Sequence, residues 1–345
     1  MSARRATRDD VARLAGTSTA VVSYVLNNGP RNVSAERKRR VLAAVAQLGY
    51  HPNAMARSLA ATQTKTLGMI VPNISNAYFA ELALAVEEAA TARGLLLFLG
   101  NSNEDVGREE AYVSSFIERR VDGIVMIGVA LSPAFETAMD AGIPVVIVDR
   151  DIRSTRAATV SIDHRAAARA ATEHLIEHGH TRIGCLAGPE GQPVAEERYA
   201  GWREALESAG IDPADQLVIR SEFAIDDAEE AVAALGARVV PARATAMVAS
   251  SDEQARGLLL ALVAAAVRLP EDVAIVSIDG TREGLYTVPS LTSVLQPFAG
   301  LASAALDSLV EDDAGDGHRS VPFGFKTGAS CGCLPGRSSS SYGRN

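Results

Sequence analysis

The sequence predicts an α + α/β chain, with a small N-terminal helix-turn-helix head followed by a larger two-lobe α/β body. Three observations predict it. Residues 7–27 hold two short amphipathic helices separated by a glycine, and from residue 66 onward apolar strand-like runs alternate with amphipathic helical stretches. Charge divides the same way: residues 1–65 carry eleven Lys or Arg against three Asp or Glu, about +8, and the chain total of −9 leaves −17 for the rest. A basic head on an acidic body separates a part that collects phosphates from a part that avoids them.

Taken in order, Thr7 with Asp10 three residues later forms a capping-box start for a helix opening at Arg8. Val11, Ala12, Leu14 and Ala15 follow at helical spacing, and Gly16 lets the chain leave the helix with positive φ. Ser18 is the N-cap of a second helix, whose Val21, Val22, Val25 and Leu26 face inward while Thr19, Ala20, Ser23 and Tyr24 stay outside. Such a second helix, opening on small polar residues, fits a DNA major groove. Ser34 caps a third helix with an apolar stripe of Val41, Leu42, Val45 and Leu48, and Gly49 ends it. Asn53 is placed to cap a fourth segment, AMARSLAA. At about two turns it falls short of the roughly 12 to 15 residues that an isolated helix needs, so it should form only when held. Met55 and Leu59 give it a narrow apolar edge beside Arg57 and Lys65, suited either to a neighbouring helix or to wedging into a minor groove.

In the body, the runs Leu67 to Val71, Leu95 to Leu99, Gly123 to Ile127 and Pro144 to Val148 read as strands. Helical stretches such as Phe79 to Ala92 and Arg108 to Glu118 separate them. The pattern restarts after Asp163 with Arg182 to Ala187, Leu217 to Ile219, Ala246 to Ala249 and Val273 to Ile278, giving two similar lobes. At 345 residues and 47% hydrophobic content, the chain supports two or three domains. No apolar run approaches the roughly 20 residues of a membrane span, and MSARRATRDD lacks a signal-peptide apolar region, so a cytoplasmic protein is expected.

Strand-end residues are the candidate ligand contacts. Tyr78 and Phe79 follow the first strand and suit either stacking on a ligand or core packing. Asp149 and Asp279 end strands, where a carboxylate either accepts hydrogen bonds from adjacent hydroxyls or caps a helix. Arg198 offers a planar donor fork, and Trp202, one turn later, either closes over a sugar ring or joins the core. The sequence has no G-x-S-x-G, no phosphate-binding G-x-x-x-x-G-K-[ST] and no H-E-x-x-H, so an enzyme is not expected. His174, His178 and His180 cluster at a helix end, where the macrodipole favours them. Cys185, Cys331 and Cys333 are an odd number with no disulfide framework, and Cys331-Gly332-Cys333 lacks a second ligand pair. Neither metal nor cofactor is expected.

Several stretches together, DVARLAG, VVSYVLN, VLAAVAQLGYHPNAMARSL, VPNISNAYFAEL, RRVDGIV, HGHTRIG, RYAGWREAL and PSLTSVLQP, resemble the LacI/GalR family of bacterial transcription regulators in order and over nearly the whole length. The resemblance implies a periplasmic-binding-protein type I body whose chain crosses between lobes three times, near Asp163, Ser293 and Phe325. It implies a head over 1–52, a hinge over 53–65, and a body over 66–334, with one lobe at about 66–162 and 294–325 and the other at about 163–293. Residues 335–345 read as a disordered tail.

By the same resemblance, Thr19, Ala20 and Tyr24 read bases, and Thr7, Ser18, Ser23, Asn27 and Ser34 contact phosphates. Asn53, Arg57 and Leu59 act in the hinge, with Leu59 inserted at the operator centre and Met55 meeting its partner across a dimer axis. Many relatives carry Arg where this chain has Tyr24, so a bidentate guanine contact is lost there. Phe79, Asp149, Arg198, Trp202, Ser251, Asp279, Gln296 and Phe298 are the implied effector residues. Relatives usually have Asn-Asp where Ser251-Asp252 stands, which shortens or removes one contact. The expectation is a homodimeric, operator-binding repressor controlled by a sugar-like effector, its higher oligomeric state left open. The alternatives are an effector-independent regulator and a solute-binding receptor built on the body alone.

Overall fold

A computed structural model describes residues 6–26, 33–50, 64–127, 134–149, 156–310 and 317–333. The chain divides into two compact units, Met1–Thr64 and Lys65–Asn345.

In the first unit, helix α1 (Arg8–Leu14) opens on a complete capping box. The Asp10 amide donates to Thr7 Oγ1 at 3.3 Å, and the Thr7 amide donates to Asp10 Oδ2 at 2.9 Å. Gly16 then takes φ +59°, a left-handed turn that glycine makes without strain. Helix α2 (Thr19–Leu26) begins where the Val21 amide donates to Ser18 Oγ, and helix α3 (Ala35–Leu48) ends at left-handed Gly49. Val11, Ala12, Ala15, Val22, Val25, Val41, Ala44 and Tyr50 form one small core.

Two details depart from the sequence reading. Leu14 and Leu42 are each 46% exposed, because each of these short helices turns one narrow line inward and Ala15 and Ala44 occupy it. Ser34 holds the N-cap position of α3 but makes no side-chain capping bond. Asn27, the hinge residues Asn53, Met55, Arg57 and Leu59, and residues 335–345 lie outside the described residues.

The second unit contains two six-stranded sheets. Lobe one is built from β1 (Thr66–Val71), α4 (Ala77–Ala92), β2 (Leu96–Asn101), α5 (Val106–Arg119), β3 (Gly123–Met126), α6 (Ala134–Asp140), β4 (Val145–Val148) and β5 (Ala158–Ser161). Lobe two continues with α7 (His164–Glu177), β6 (Ile183–Ala187), α8 (Pro193–Ser208), β7 (Val218–Arg220), α9 (Ile225–Leu235), α10 (Val239–Arg243), β8 (Ala246–Ala249), α11 (Asp252–Ala264), β9 (Ala274–Asp279) and β10 (Thr292–Leu295). Helix α12 (Phe298–Val310) and β11 (His318–Ser320) return to lobe one, and β12 (Gly324–Lys326) returns to lobe two. The strand orders are β11-β5-β4-β3-β1-β2 and β12-β10-β9-β8-β6-β7, parallel except for β12 against β10.

The central strands are buried on both faces, which is why they read as continuous apolar runs. The three crossings fall at residues 162–163, 296–297 and 321–323. The boundaries expected at 294 and 325 are therefore corrected. Strand β10 stays hydrogen-bonded to β9 through Leu295, and β12 already belongs to the second sheet because Phe325 pairs with Val294. Among the described residues, no helix is long and apolar enough to cross a membrane.

Replacing Thr7 by Ala removes the two bonds made by Oγ1 while the residue-7 amide can still donate to Asp10, and should cost the head about 1 kcal/mol. Native-state hydrogen exchange of the α1 amides in the full chain should show faster opening by roughly fivefold, at 1.4 kcal/mol per tenfold.

Candidate functional site

The head presents a polar and basic surface. Thr19 and Ala20 are exposed at the start of α2, with Ser23 and Tyr24 half-exposed on the next turn, while Val22 and Val25 anchor the opposite face. Ser18 caps the helix, whose free amides form a positive end. Arg37, Lys38, Arg39 and Arg40 are exposed along the first half of α3, cations that the sequence reading counted but did not place. Thr7 is engaged in its own cap, Oγ1 donating to Asp10 Oδ2 at 2.6 Å.

In the second unit, a cavity of about 50 Å³ opens between the lobes at the carboxyl ends of the strands. Tyr78, Phe79 and Asp149 line it from lobe one, and Arg198, Phe223, Ser251 and Asp279 line it from lobe two. This is where open α/β sheets gather ligands. Asp149 follows β4 with φ +67°, and Asp279 ends β9 with φ +131°, both conformations that L side chains seldom adopt. Gly280 completes the second turn at φ +70°; a Cβ there would stand 2.2 Å from Leu295 Cδ2.

Arg198, held by α8 and buried, organises the cavity floor. Its Nη1 donates to the Ser250 carbonyl, Nη2 lies 3.4 Å from Asp279 Oδ1, and Nε donates to His164 Nδ1 at 3.4 Å. On the other edge of His164, Nε2 lies 3.4 Å from Asp149 Oδ1. Because Nδ1 accepts from Arg198, Nε2 carries the ring proton, and it faces Asp149 Oδ1 as a dipolar contact too poorly aligned to count as a hydrogen bond. Gln296 donates to Asp279 Oδ1 at 2.9 Å and accepts from the Tyr78 hydroxyl at 3.3 Å. One polar chain thus runs from Asp149 through His164, Arg198, Asp279 and Gln296 to Tyr78.

The two carboxyls differ in charge state. Burial works against ionisation of Asp149, but the His164 side chain, the Arg198 charge and the Tyr78 hydroxyl outweigh it and hold its pKa below the usual value. Burial dominates at Asp279 and raises it to about 7, because the Arg198 contact is long and Asp252 and Asp149 add negative charge. The Tyr78 phenol is pushed well up by burial and by both carboxylates.

The sequence-predicted residues fall in three places. Phe79, Asp149, Arg198, Ser251 and Asp279 line the cavity. Gln296 and Phe298 stand behind it, Gln296 on Asp279 and Tyr78, and Phe298 tilted against the Tyr78 ring at 5.5 Å. Trp202 is corrected: it is fully buried in the core of lobe two, its indole N–H donating to the Ile183 carbonyl, and Tyr199 stacks on it at 5.4 Å. One turn beyond Arg198 on α8, it points to the sheet rather than the cleft. Ser251 caps α11 through the Gln254 amide, and neighbouring Asp252 is committed to structure, accepting from Ser277, Ser293 and both the amide and hydroxyl of Thr281. Sequence reasoning missed His164, Asn76, Gln192 and Phe223. The only signal for His164 is its place directly after Asp163, the cap of α7.

The geometry can now be set beside known proteins. The description "Bacterial regulatory proteins, lacI family" matches residues 7–53, and "Periplasmic binding protein domain" matches residues 67–311. Catabolite control protein A of Streptococcus mutans is 35% identical over 88% of this chain and 90% of its own length. The chain belongs to the lacI family of bacterial regulatory proteins. Among solved structures, the lac repressor dimer bound to operator and an anti-inducer superposes with TM-score 0.83 at 25% identity, covering 95% of this chain and 99% of its own. The regulator CelR in complex with cellobiose gives TM-score 0.70 at 28% identity, over 94% of this chain and all of its own. These relatives are transcriptional regulators. For this lacI-family chain, the head is the DNA-binding unit and the two-lobe body the ligand-binding unit.

Two measurements check the site. Asp279 keeps its proton in the fold up to about pH 7 but loses it near pH 4 when unfolded, so folding takes up a proton between those values. Its contribution to stability is therefore fully present below about pH 4 and lost as pH rises to about 7; Asp279→Asn should remove that slope in urea titrations compared with the parent. Trp202→Phe should lower the urea midpoint while leaving the pH-dependence of stability carried by Asp279 unchanged, since the ring packs on the sheet.

Proposed function

We propose that this regulator is a repressor whose operator affinity is set by a sugar or related polyhydroxy metabolite bound between the lobes, by Phe79, Asp149, Arg198, Ser251, Asp279, Gln296 and Phe298. The observation that carries the effector class is the buried chain of alternating donors and acceptors flanked by aromatic faces. A hydroxyl is both donor and acceptor, and adjacent hydroxyls can bridge a carboxylate and a guanidinium, while Phe79 and Phe223 flank an apolar ring face. Relatives whose names speak of cellobiose or ribose support the same class. We place the chain in the cytoplasm, acting without catalysis.

The proposed DNA contacts are Thr19, Ala20 and Tyr24 to bases, and Thr7, Ser18, Ser23, Asn27 and Ser34 to phosphates. Two heads of a homodimer would read the halves of a pseudo-palindrome, with Asn53, Arg57 and Leu59 in a hinge that orders in the minor groove. The cavity of about 50 Å³ is well below the roughly 300 Å³ at the small end of ligand sites, so effector entry requires the lobes or the lining side chains to move. That requirement makes ligand affinity depend on lobe arrangement, which is what regulation at a distance needs.

Footprinting on the DNA flanking its own gene, repeated with a panel of sugars, tests the whole reading. A pseudo-palindromic footprint that one sugar shifts is expected; a footprint indifferent to every sugar, with no ligand-induced rise in Tm, would favour an effector-independent regulator. Arg198→Ala should weaken binding of the active sugar at least tenfold by calorimetry. Leu59→Ala should weaken operator binding while leaving non-specific, salt-dependent binding nearly unchanged; equal losses on both DNAs would remove the wedge role.

A further inference from the structure

His174 lies in the last turn of α7, His178 is the C-cap of that helix, and Cys333 comes 155 residues after His178. The fold brings the three together on lobe two, away from the cleft residues. Cys333 Sγ is 2.9 Å from His178 Nε2 and 3.5 Å from His174 Nε2, and the donor atoms all lie within 4.8 Å of one another. We propose that these residues form a binding site for a zinc-class divalent metal ion, with the two Nε2 atoms and Sγ as protein ligands and water in the fourth position.

The donor set fits this class. Two imidazoles and a thiolate are borderline-soft ligands that suit Zn²⁺ and Co²⁺ over Mg²⁺ or Ca²⁺, which seek oxygen. Spacing fits as well: with Zn–S near 2.3 Å and Zn–N near 2.0–2.1 Å, a tetrahedron has an S···N edge of about 3.5 Å. The His174 separation already has that value, and the 2.9 Å separation from His178 needs to lengthen by about 0.6 Å.

The surroundings fix the tautomer of His178 and the direction of the His174 ring. His178 Nδ1 is 2.6 Å from the His174 carbonyl oxygen, so Nδ1 carries the proton and donates there, leaving the Nε2 lone pair toward the sulfur. Metal-bound histidines are characteristically held this way, by a hydrogen bond at the other ring nitrogen. The His174 ring packs between His178 at 4.4 Å and Phe325 at 4.8 Å, so its direction is also set. The neighbouring Cys331 thiol is buried, accepts from Thr292 Oγ1 at 3.0 Å and also lies within reach of the Cys333 side chain. On binding, the Cys333 S–H proton passes to water as the metal–sulfur bond forms, and the ion loses hydration waters. The ion would clip the segment after β12, the last strand to join lobe two, to the end of α7.

The competing reading is a plain thiol contact, in which Sγ donates to His178 Nε2 and only packs near His174. Titration of the metal-stripped full chain with Co²⁺ separates the two. A ligated thiolate gives a sulfur-to-cobalt charge-transfer band with intense tetrahedral visible bands, saturating at one equivalent per chain. That spectrum is expected of the parent chain and should be lost in Cys333→Ser and His178→Gln. Zn²⁺ should displace the cobalt spectrum and raise the Tm of the parent, with no rise in Cys333→Ser, whose circular dichroism should match the parent. A parent chain that leaves cobalt with its weak hydrated spectrum, or a charge-transfer band that survives Cys333→Ser, overturns the proposal.

Discussion

A guanidinium buried between two sheets has no neutral form to retreat to, and lobe two is arranged around that fact. Arg198 must be matched in place. The Ser250 carbonyl takes one Nη at the end of β8, Asp279 takes the other at the end of β9, and His164 takes Nε at the start of α7. Three elements are thereby brought to one point, and α8 is set at the height that places Gln192 and Val194 beside the cavity. Removing any one partner would leave charge uncompensated in a low-dielectric site, where such losses are far larger than for a surface pair. The positive φ values at Asp149 and Asp279 fit the same constraint, since the surrounding sheet holds both carboxyls in conformations they would otherwise leave.

The two carboxyls that share this guanidinium are not equivalent. Asp149 lies close to His164 and Tyr78 and stays ionised; Asp279 is crowded by the Asp252 carboxylate and titrates near neutrality. A site with one permanent acceptor and one group able to donate or accept discriminates against anions more than against neutral polyols. That points the chemistry toward hydroxyls. Phe79 and Phe223 supply apolar faces, and Ser251, with its hydroxyl already used to cap α11, contributes little beyond shape. Asp252 beside it is held in a structural role by Ser277 and Thr281.

Much of the fold was legible because its signals are local. The capping box at Thr7, the glycine after α1 and the doubly buried strands each follow from a few adjacent residues. The short edge strands β11 and β12 and the strand β5, only three or four residues each, carry no periodicity of their own and exist because a neighbouring strand offers hydrogen bonds. The same distinction divides the site. Asp149 and Asp279 stand at strand ends, where a sequence announces ligand positions, whereas His164, Asn76 and Phe223 reach the cleft from loops and helix starts. Trp202 sat in the right motif and on the same face of α8 as Arg198, but one turn further along, where it meets the sheet core instead of the cleft, a difference that only packing decides. His174, His178 and Cys333 were weighed as two unrelated clusters, since nothing local relates residues so far apart.

The lobes bond directly to each other. Asn76 of lobe one donates to the Phe223 carbonyl of lobe two at 3.3 Å, and the Arg282 amide donates to Glu81 at 2.5 Å. Burial pushes the Glu81 carboxyl upward, so this second contact is retained only with some cost to the charged form. Such contacts compete with an effector for the same closure. A molecule too large for a cavity of about 50 Å³ must either displace these bonds or exchange them for its own, and in both cases it binds the two lobe arrangements with different affinity. Differential affinity is the sole requirement for a ligand to shift a conformational equilibrium. The small cavity and its internal hydrogen bonds are thus not an obstacle to regulation but the source of the coupling, because a cleft that admitted the ligand without rearrangement would transmit nothing.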